Sequence, residues 1–256
     1  MDDQGATGLP ASIEAAWGVR GRPVRGPRPT LSLDRIVAAA VKVAAADGMG
    51  AVSMSRIAAE LGVSTMSLYR YVAAKDELLA LMADAAFDPP PPRPAPGESW
   101  REGLERWARA ELAAYRRNPW VLRIPVKGPP TAPNQVAWLE GGLACLAGTG
   151  LREDEKLSVI LLLTGFDRNQ AALEADIAAA MAAGEGQPMT SYGRTLARLI
   201  DPERFPALHA AIAAGVLDAP EGEVEEDDMD SEFSFGLERV LDGIEALIEK
   251  RRTGRG

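Results

Sequence analysis

Apolar residues recur at the three- and four-residue spacing of an α-helix along most of the chain, and no segment shows the alternation typical of a strand. In the first clear segment, residues 33–46, one face is predicted to hold Ile36, Val37, Ala40, Val41 and Ala44. Ser32 stands at the position of an N-cap, and Gly48 follows as a C-terminal stop. The pattern therefore predicts an amphipathic helix over residues 33–46.

Three shorter helices are predicted in the residues that follow. They span about 53–61, 65–71 and 75–87. Ser64 or Thr65 is expected to cap the middle one, because each can accept a hydrogen bond from a free backbone amide of the first turn.

A proline-rich stretch, DPPPPRPAPG over residues 88–97, forbids helix and marks the clearest boundary in the chain. Beyond it the apolar pattern predicts helices at about 98–117, 134–148, 152–183, 202–214 and 232–252. Breaks are predicted at 119–133, 184–191 and, as a mobile acidic loop, 219–231. The expected fold is all-α, with a flexible basic arm (1–30), a small helical domain (31–87), a linker (88–97) and a larger helical domain (98–252).

Composition narrows the class of protein. Of 256 residues, 46% are hydrophobic, so a sizeable core can form, and the longest uncharged apolar run, residues 159–166, is too short to cross a bilayer. The N-terminus lacks the basic-then-apolar pattern of a signal peptide. The single cysteine cannot form an intramolecular disulfide and favours a reducing compartment. A cytoplasmic protein that does not enter membranes is expected.

The net charge of −9 is unevenly distributed. Residues 20–75 contain nine Lys or Arg and three acids, for a charge of +6, and the residues after 75 sum to −12. A basic N-terminal part joined to an acidic body predicts an anionic partner for the first part alone.

The stretch GVSTMSLYRYVAAKDELL, residues 62–79, supplies that part with nucleic-acid chemistry. Two short helices joined through Gly62 have the pattern of a helix-turn-helix, whose second helix enters the major groove of DNA. The residues at the start of that helix are suited to base edges, and they are Thr65, Met66 and Ser67. The residues suited to phosphates are Tyr69, Tyr71 and Lys75.

The alternative for this stretch is an ordinary short helix with an aromatic core stripe. Tyr69 and Tyr71, two residues apart, cannot share a helical face, so at most one of them can belong to a core. Leu68 and Val72, four residues apart, are the better core candidates.

Residues 31–87 strongly resemble the DNA-binding domain of TetR-type transcriptional repressors, through RIVAAAVKVAAADG, AVSMSRIAAELGVS and TMSLYRYVAAKDELL in this order. The resemblance implies a homodimer in which two recognition helices read a palindromic operator in double-stranded DNA. Matched position by position, it implies DNA contacts from Ser53, Ser55, Arg56, Thr65, Met66, Ser67, Tyr69, Tyr71 and Lys75.

The larger domain resembles the C-terminal domain of the tetracycline-repressor branch, through RRNPWV, PNQVAWLEGGLACLAGTGL and FSFGLERVLDGIEALI. The resemblance implies a dimer held by a four-helix bundle, with helices 152–183 and 232–252 from each chain. One apolar stripe agrees with this, formed by Phe233, Leu237, Val240, Leu241, Ile244, Leu247 and Ile248. The alternative is that the stripe packs only within its own chain.

The segment VRGRPVRGPRP forms a basic arm that contains Arg20, Arg22, Arg25 and Arg28. Such an arm can lie in a narrow minor groove, where negative potential is concentrated. The alternative is a solvated tail without a DNA contact.

The resemblance also implies that a small-molecule effector binds in the larger domain and releases the protein from DNA. The candidate pocket residues are Trp107, Tyr115, Trp120, Asn134, Trp138, Phe166, Arg168 and Asn169. Tryptophans 120 and 138 flank the break at 119–133, and a core position is the favoured interpretation of each over contact with a ligand. Arg168 and Asn169 are the better candidates, because buried polar groups need partners.

Tetracycline binding in the family uses a magnesium ion that is held partly by a histidine after the fifth helix. The matching segment here, RIPVKGPP, has no histidine, so a tetracycline–magnesium effector is not expected. We expect no cofactor and no metal site. His209 is interpreted as a surface or satisfied histidine and Cys145 as a core thiol.

Three other classes of protein fit the sequence less well than a ligand-controlled repressor. An enzyme would need a metal cluster, a nucleophile–base pair or a phosphate-binding loop, and one histidine, one cysteine and no GxGxxG or GxxxxGK[ST] pattern provide little for any of them. An architectural DNA-binding protein would not need so large a second domain. A sensor of a partner protein would use the acidic residues 221–230, whose other interpretation is a solvated connection.

Overall fold

The structure is a computed structural model that describes residues 8–19, 31–91, 93–184, 192–218 and 226–253, and the side chains of 226–229 are outside that description. Within these residues there is no strand. The helices are α1 (Ala11–Ala16), α2 (Leu33–Asp47), α3 (Met54–Leu61), α4 (Thr65–Tyr69), α5 (Lys75–Ala86), α6 (Trp100–Arg117), α7 (Pro133–Cys145), α8 (Glu153–Ala182), α9 (Tyr192–Ala197), α10 (Pro206–Ala213) and α11 (Glu226–Thr253), with 3-10 turns at Met49–Ala51 and Pro119–Arg123. The predicted all-α class is confirmed.

Local signals place the first helices. Ser32, Ser53 and Ser64 are the N-caps of α2, α3 and α4, and each hydroxyl accepts a hydrogen bond from the backbone amide three residues on. Gly48 and Gly62 end α2 and α3 with φ of 77° and 67°, a region that glycine enters without a Cβ penalty. These predicted starts and stops are confirmed, and Ser64 rather than Thr65 caps α4.

The buried face of α2 is rotated from the predicted one. Ile36, Ala40 and Ala44 are buried as expected, but Ala39 and Val43 are buried beside them. The predicted Val37 and Val41 are half-exposed. The buried residues follow the i, i+3, i+4 spacing of a helix that packs on one side, whereas the predicted set relied on adjacent pairs that point about 100° apart.

The core of the small helical unit is closed by α3, α4 and α5. Ile57, Leu68, Val72 and Leu78 are fully buried, and both α3 and α5 pack on α2. Burial of Leu68 and Val72 confirms their prediction as core residues. Helix α4 ends at Tyr69 rather than near residue 71.

A short N-terminal helix corrects the expectation of a flexible arm for residues 11–16. Ile13 of α1 is buried, and Ser12 Oγ donates to Glu77 Oε2 of α5 at 2.6 Å. Trp17 Nε1 donates to the carbonyl of Thr131 at 2.8 Å. The sequence did not predict this helix, because its six residues are too few to show an apolar period.

Helices α6 and α7 form the centre of the larger part. Trp107 Nε1 of α6 donates to the carbonyl of Trp138 in α7 at 2.9 Å. Close packing requires a glycine at 142, since a Cβ there would lie 2.7 Å from Ile160 Cδ1 and 3.1 Å from Trp107 Cε2.

The structure describes all of the proline-rich residues 88–97 except residue 92, and none of those described is helical.

The helices form two compact units, one of the described residues up to Ala172 together with those from Ile244, the other Leu173–Gly243. In the second unit, α9 was not predicted and α10 is shorter than the predicted 202–214. Helix α11 begins at Glu226, so the later residues of the predicted acidic loop 219–231 are helical.

No helix among the described residues is both long enough and apolar enough to cross a membrane.

Candidate nucleic-acid interface and ligand cavity

The exposed side of α4 offers the predicted base-contacting residues to solvent. Met66 is 74% exposed although Leu68, two residues on, is fully buried. Thr65 and Ser67 are half-exposed on either side of it. The Oγ atoms of Ser64 and Ser67 lie 2.9 Å apart. The helix therefore presents an apolar thioether flanked by hydroxyl groups, which suits a thymine methyl beside hydrogen-bonding base edges.

The predicted contacts of α3 lie at its start. Ser53 Oγ caps the helix and is 3.1 Å from Ser55 Oγ. Arg56 Nη2 pairs with Asp47 Oδ2 at 2.8 Å. Ser55 and Arg56 are exposed, whereas Ser53 is half-exposed and engaged as the cap. Asp47 therefore orients the guanidinium of Arg56 at the surface.

The two tyrosines have different surroundings. Tyr69 is 45% exposed, whereas the hydroxyl of Tyr71 donates to the carbonyl of Leu31 at 2.9 Å. Tyr71, two residues after the end of α4, is thereby bonded to Leu31, two residues before the start of α2. Lys75 is exposed at the first position of α5. The four predicted arginines of the arm, Arg20, Arg22, Arg25 and Arg28, lie outside the described residues.

Helix α5 also forms part of the wall of a cavity of about 570 Å³. Its Leu79, Ala80 and Ala83 line the cavity, together with residues of α6, α7, α8 and the connection 124–132. At one edge, Lys127 Nζ pairs with Asp76 Oδ2 at 2.6 Å. This volume is in the range of sites that hold small organic molecules.

Four of the eight predicted pocket residues line this cavity, and they are Trp107, Tyr115, Trp138 and Arg168. The others lie elsewhere among the described residues. Trp120 is buried, and Phe166 is half-buried. Asn134 Nδ2 donates to the carbonyl of Asp84 at 3.3 Å, and Asn169 is exposed.

An aromatic cluster lines one side of the cavity. The ring of Phe87 meets those of Tyr115 and Trp138 edge-on, at centroid distances of 5.3 and 5.7 Å. Trp107 and Trp138 are 6.0 Å apart in a similar arrangement. Trp138 Nε1 donates to the carbonyl of Phe87 at 2.6 Å. The indoles are thereby fixed, and the cavity has a rigid, largely apolar wall.

Sequence comparison agrees with both parts of this geometry. The family model for bacterial regulatory proteins of the TetR family matches residues 36–82, and the model for the tetracycline repressor-like C-terminal domain matches residues 93–248.

The chain belongs to the TetR family. It is a transcriptional regulator with a helix-turn-helix DNA-binding domain, and not an enzyme. It is 36% identical to DrrR1, an HTH-type transcriptional repressor of Streptomyces coeruleorubidus, over 259 aligned residues that cover 98% of this chain and 91% of DrrR1.

Solved TetR-family structures share the fold. Apo ActR of Streptomyces coelicolor is 26% identical, with a TM-score of 0.71 over 88% of this chain and 99% of ActR. ActR in complex with actinorhodin is 27% identical, with a TM-score of 0.68 over 86% of this chain and 97% of ActR.

The sequence interpretation missed two acids that this TetR-family chain buries near the cavity. Glu111 lines the cavity and is 4% exposed, and Asp167 is fully buried on α8. Burial raises the pKa of both carboxyl groups, and the charge of Glu111 raises the pKa of Asp167 further. A signal was present, because each acid interrupts an apolar stripe, Glu111 at three and four residues from Ala108 and Tyr115 and Asp167 four residues from Leu163.

A third buried acid, Asp84, connects the DNA-binding unit to α7. Its Oδ1 accepts from the backbone amide of Gln135 at 2.9 Å, in the first turn of α7. Burial raises the pKa of Asp84, and the hydrogen bonds from Gln135 and Asn134 oppose that rise. This contact ties α5 to the start of the next cavity-lining helix.

The single histidine and the single cysteine of the sequence occupy different surroundings. His209 is exposed on α10. Cys145 is buried, and its Sγ donates to the carbonyl of Gly141 at 3.3 Å. Among the residues that the structure describes, no three His, Cys, Asp or Glu side chains come together in a group that could hold a metal ion.

Proposed function

We propose that this TetR-family protein is a homodimeric repressor in the cytoplasm that binds a palindromic operator and is released by a small-molecule effector. The observation that carries the proposal is the double role of α5. This helix packs on α2 of the DNA-binding unit, and its Leu79, Ala80 and Ala83 line the cavity. A ligand that displaces this wall also displaces the recognition helix that precedes it.

The energetics of release follow from linkage. An effector weakens operator binding only as far as it prefers the cavity shape that does not fit DNA. Asp84 is well placed to transmit such a preference, because its hydrogen bond to Gln135 makes α5 and the start of α7 move together. The complex of the related ActR with actinorhodin supports a small molecule as the effector.

Exposed apolar residues on α8 support a homodimer. Leu162, Leu173, Ile177 and Met181 are each about half-exposed and do not line the cavity. In a long helix these residues would be covered by a second copy of the chain. On α11 the predicted stripe is mostly buried within the chain, with only Val240 and Leu247 half-buried, and Phe235, outside that stripe, is 65% exposed.

In this proposal each half of the operator is contacted from three places. Thr65, Met66 and Ser67 contact base edges, as the exposed side of α4 allows. Tyr69, Tyr71, Lys75, Ser53, Ser55 and Arg56 contact the phosphate backbone or adjacent bases. The arginines of the arm contact the minor groove, which is consistent with the excess positive charge of residues 20–75.

The experiment that tests this function is selection of bound sequences from random duplex DNA by the purified full-length protein. A two-fold symmetric motif is expected, with Thr65→Ala changing base preference at one position of each half-site. The matched control is Lys75→Ala, which removes an exposed charge and is expected to weaken binding to all sequences similarly. Recovery of no motif from a folded, dimeric sample would contradict operator binding.

A further inference from the structure

The cavity contains a carboxyl group that the fold leaves incomplete. Glu111 lines the cavity and is more than nine-tenths buried. Its Oε1 accepts a hydrogen bond from Thr164 Oγ1 at 3.3 Å, but its Oε2 has no hydrogen-bond partner. Buried polar atoms without a partner are rare in native folds, because each forfeits the hydrogen bond it had with water.

A second buried acid, Asp167, also lacks hydrogen-bond partners. It is fully buried, and neither of its carboxyl oxygens has a hydrogen-bond partner. It lies close enough to Glu111 for each group to affect the charge of the other. Three buried carboxyl oxygens of the two acids therefore lack a donor from the rest of the described fold, and either a shared proton or a donor on a ligand can complete them.

No cation in the cavity wall completes the pair. Of the four charged residues that line the cavity, Asp76 and Lys127 pair with each other. Arg168 Nη2 donates to the carbonyls of Leu122 and Ile124 at 2.9 and 3.4 Å. Glu111 is the fourth, so the wall holds an acid whose counter-charge is not supplied by the other three.

The surrounding wall is aromatic. Phe87, Tyr115, Trp107 and Trp138 line the cavity on which Glu111 opens. Aromatic faces attract organic cations, and the attraction is stronger where water is excluded. An aromatic wall beside the carboxyl group of Glu111 is a combination of groups that stabilises an organic ammonium ion.

We propose that the effector is an organic cation, an aromatic or apolar body with a protonated amine whose N–H groups donate to Glu111 and act on Asp167 behind it. This inference rests on the proposed function, since it names the ligand class of the same cavity. A neutral hydroxyl group donates one hydrogen bond and brings no charge, and an anion would be repelled. A metal ion would need further acidic, histidine or cysteine ligands, which the described residues do not bring to this pair.

The test compares probes that differ only in charge. The first pair is 9-(aminomethyl)anthracene, protonated at neutral pH, and 9-anthracenemethanol, which replaces the ammonium by a hydroxyl. A smaller pair is 1-naphthylmethylamine and 1-naphthalenemethanol. Binding to the full-length protein is measured by the fluorescence of the probe and by calorimetry. At least one amine is expected to bind about tenfold tighter than its alcohol, a difference of about 1.4 kcal/mol.

Glu111→Gln is the decisive variant, because it keeps the size of the side chain and removes its charge. The amine is expected to lose its preference over the alcohol, while the alcohol binds as before. The matched control is Glu105→Gln on the same helix, an exposed acid that pairs with Arg109. It makes the same change in net charge and is expected to keep the preference. Glu111→Met, which also keeps the size of the side chain and removes its charge, provides a second variant if Glu111→Gln does not fold.

Each outcome has a definite meaning. Equal binding of amine and alcohol, a preference that survives in both variants, or no binding of either amine to folded protein would overturn the cation site. Operator binding is measured on the same samples. An amine that binds through Glu111 but leaves operator affinity unchanged would contradict effector release while the cation site stands, so the two failures are distinguishable.

Discussion

The DNA-binding unit and the cavity satisfy their polar groups in opposite ways. In the unit of α2 to α5, fully buried side chains are apolar, and the serines at helix starts are all used as caps. In the cavity, Glu111 and Asp167 are buried without complete hydrogen bonding. In the DNA-binding unit, folding alone provides partners for the capping serines, and the predicted DNA contacts lie on its exposed side. In the cavity region folding leaves carboxyl oxygens without a donor, and the proposed cation would supply one.

Three of the buried acids, Asp84, Glu111 and Asp167, show the same contrast within one class of side chain. Asp84 accepts a hydrogen bond from the backbone of Gln135 and joins two helices. Glu111 accepts a hydrogen bond only from the hydroxyl of Thr164, and Asp167 has no hydrogen-bond partner. Both are at least as deeply buried as Asp84. A buried acid with a partner is explained by structure, and one without a partner requires a ligand or a proton.

The largest expected effect tests whether the DNA-binding unit depends on its core. Leu68→Ala removes a fully buried side chain from α4 and is expected to lower the free energy of unfolding by about 2–5 kcal/mol. Met66→Ala, two residues away and mostly exposed, is expected to leave stability unchanged and to alter base preference. Chemical denaturation and operator titration measure the two effects. A stable Leu68→Ala protein would mean that α4 is not held by this core.

The next effect concerns the arm. Replacing Arg20, Arg22, Arg25 and Arg28 by glutamine is expected to weaken operator binding by about 10- to 100-fold at low salt and to flatten its salt dependence, since fewer counterions are released. The structure shows why deletion of residues 1–28 would be a poorer test, because α1 packs on α5 through Ile13 and Ser12. Affinity and salt slope equal to those of the unaltered protein would identify the arm as a solvated tail.

These two regions also differ in how far the sequence could predict them. The DNA-binding unit is encoded locally, so Ser32, Ser53, Gly48 and Gly62 identify its helix ends from neighbouring residues alone. The rotation of α2, which buries Val43 and leaves Val41 half-exposed, could not be read this way, because it depends on where α3 and α5 pack.

The cavity depends on long-range packing and was predicted only in part. Trp107 and Trp138 were selected as residues of the segment between the linker and the predicted bundle, and both line the cavity. Asn134 was selected for its amide, but that amide is used by Asp84, fifty positions away in the chain. Glu111 and Asp167 were overlooked because acids on a mostly helical chain are expected at the surface. Their positions on apolar stripes were the available evidence.

A smaller effect tests the carboxyl pair through pH. Because burial raises both pKa values, the folded protein retains protons that the unfolded chain releases above the ordinary carboxyl value of 3.8 for Asp167. The pair's contribution to stability is therefore complete below that pH and is lost as pH rises. Asp167→Asn needs no proton and is expected to stabilise the protein by about 1–2 kcal/mol at pH 8, and by less near pH 4.

Thermal or chemical unfolding across this pH range measures the difference. The groups that face the pair are Tyr115 and Thr164, with Arg168 next to Asp167 in α8, and all stay unchanged in the variant. The control is Asp154→Asn, an exposed acid whose pKa is lowered by the side chain of Arg152, so any pH dependence that it changes should have the opposite sign. A gain for Asp167→Asn that does not vary with pH would contradict a retained proton.

The smallest effect separates Tyr69, the last residue of α4, from Tyr71, which follows that helix. Tyr71→Phe removes the hydrogen bond to the carbonyl of Leu31 and is expected to lower the free energy of unfolding by about 0.5–1.5 kcal/mol. Tyr69→Phe, which removes an exposed hydroxyl, is expected to leave stability unchanged and to weaken operator binding. If Tyr71→Phe instead weakens operator binding at unchanged stability, Tyr71 contacts phosphate directly. Loss of both stability and operator affinity would mean that the hydrogen bond from Tyr71 to Leu31 stabilises the fold and also positions the start of α2 on the DNA.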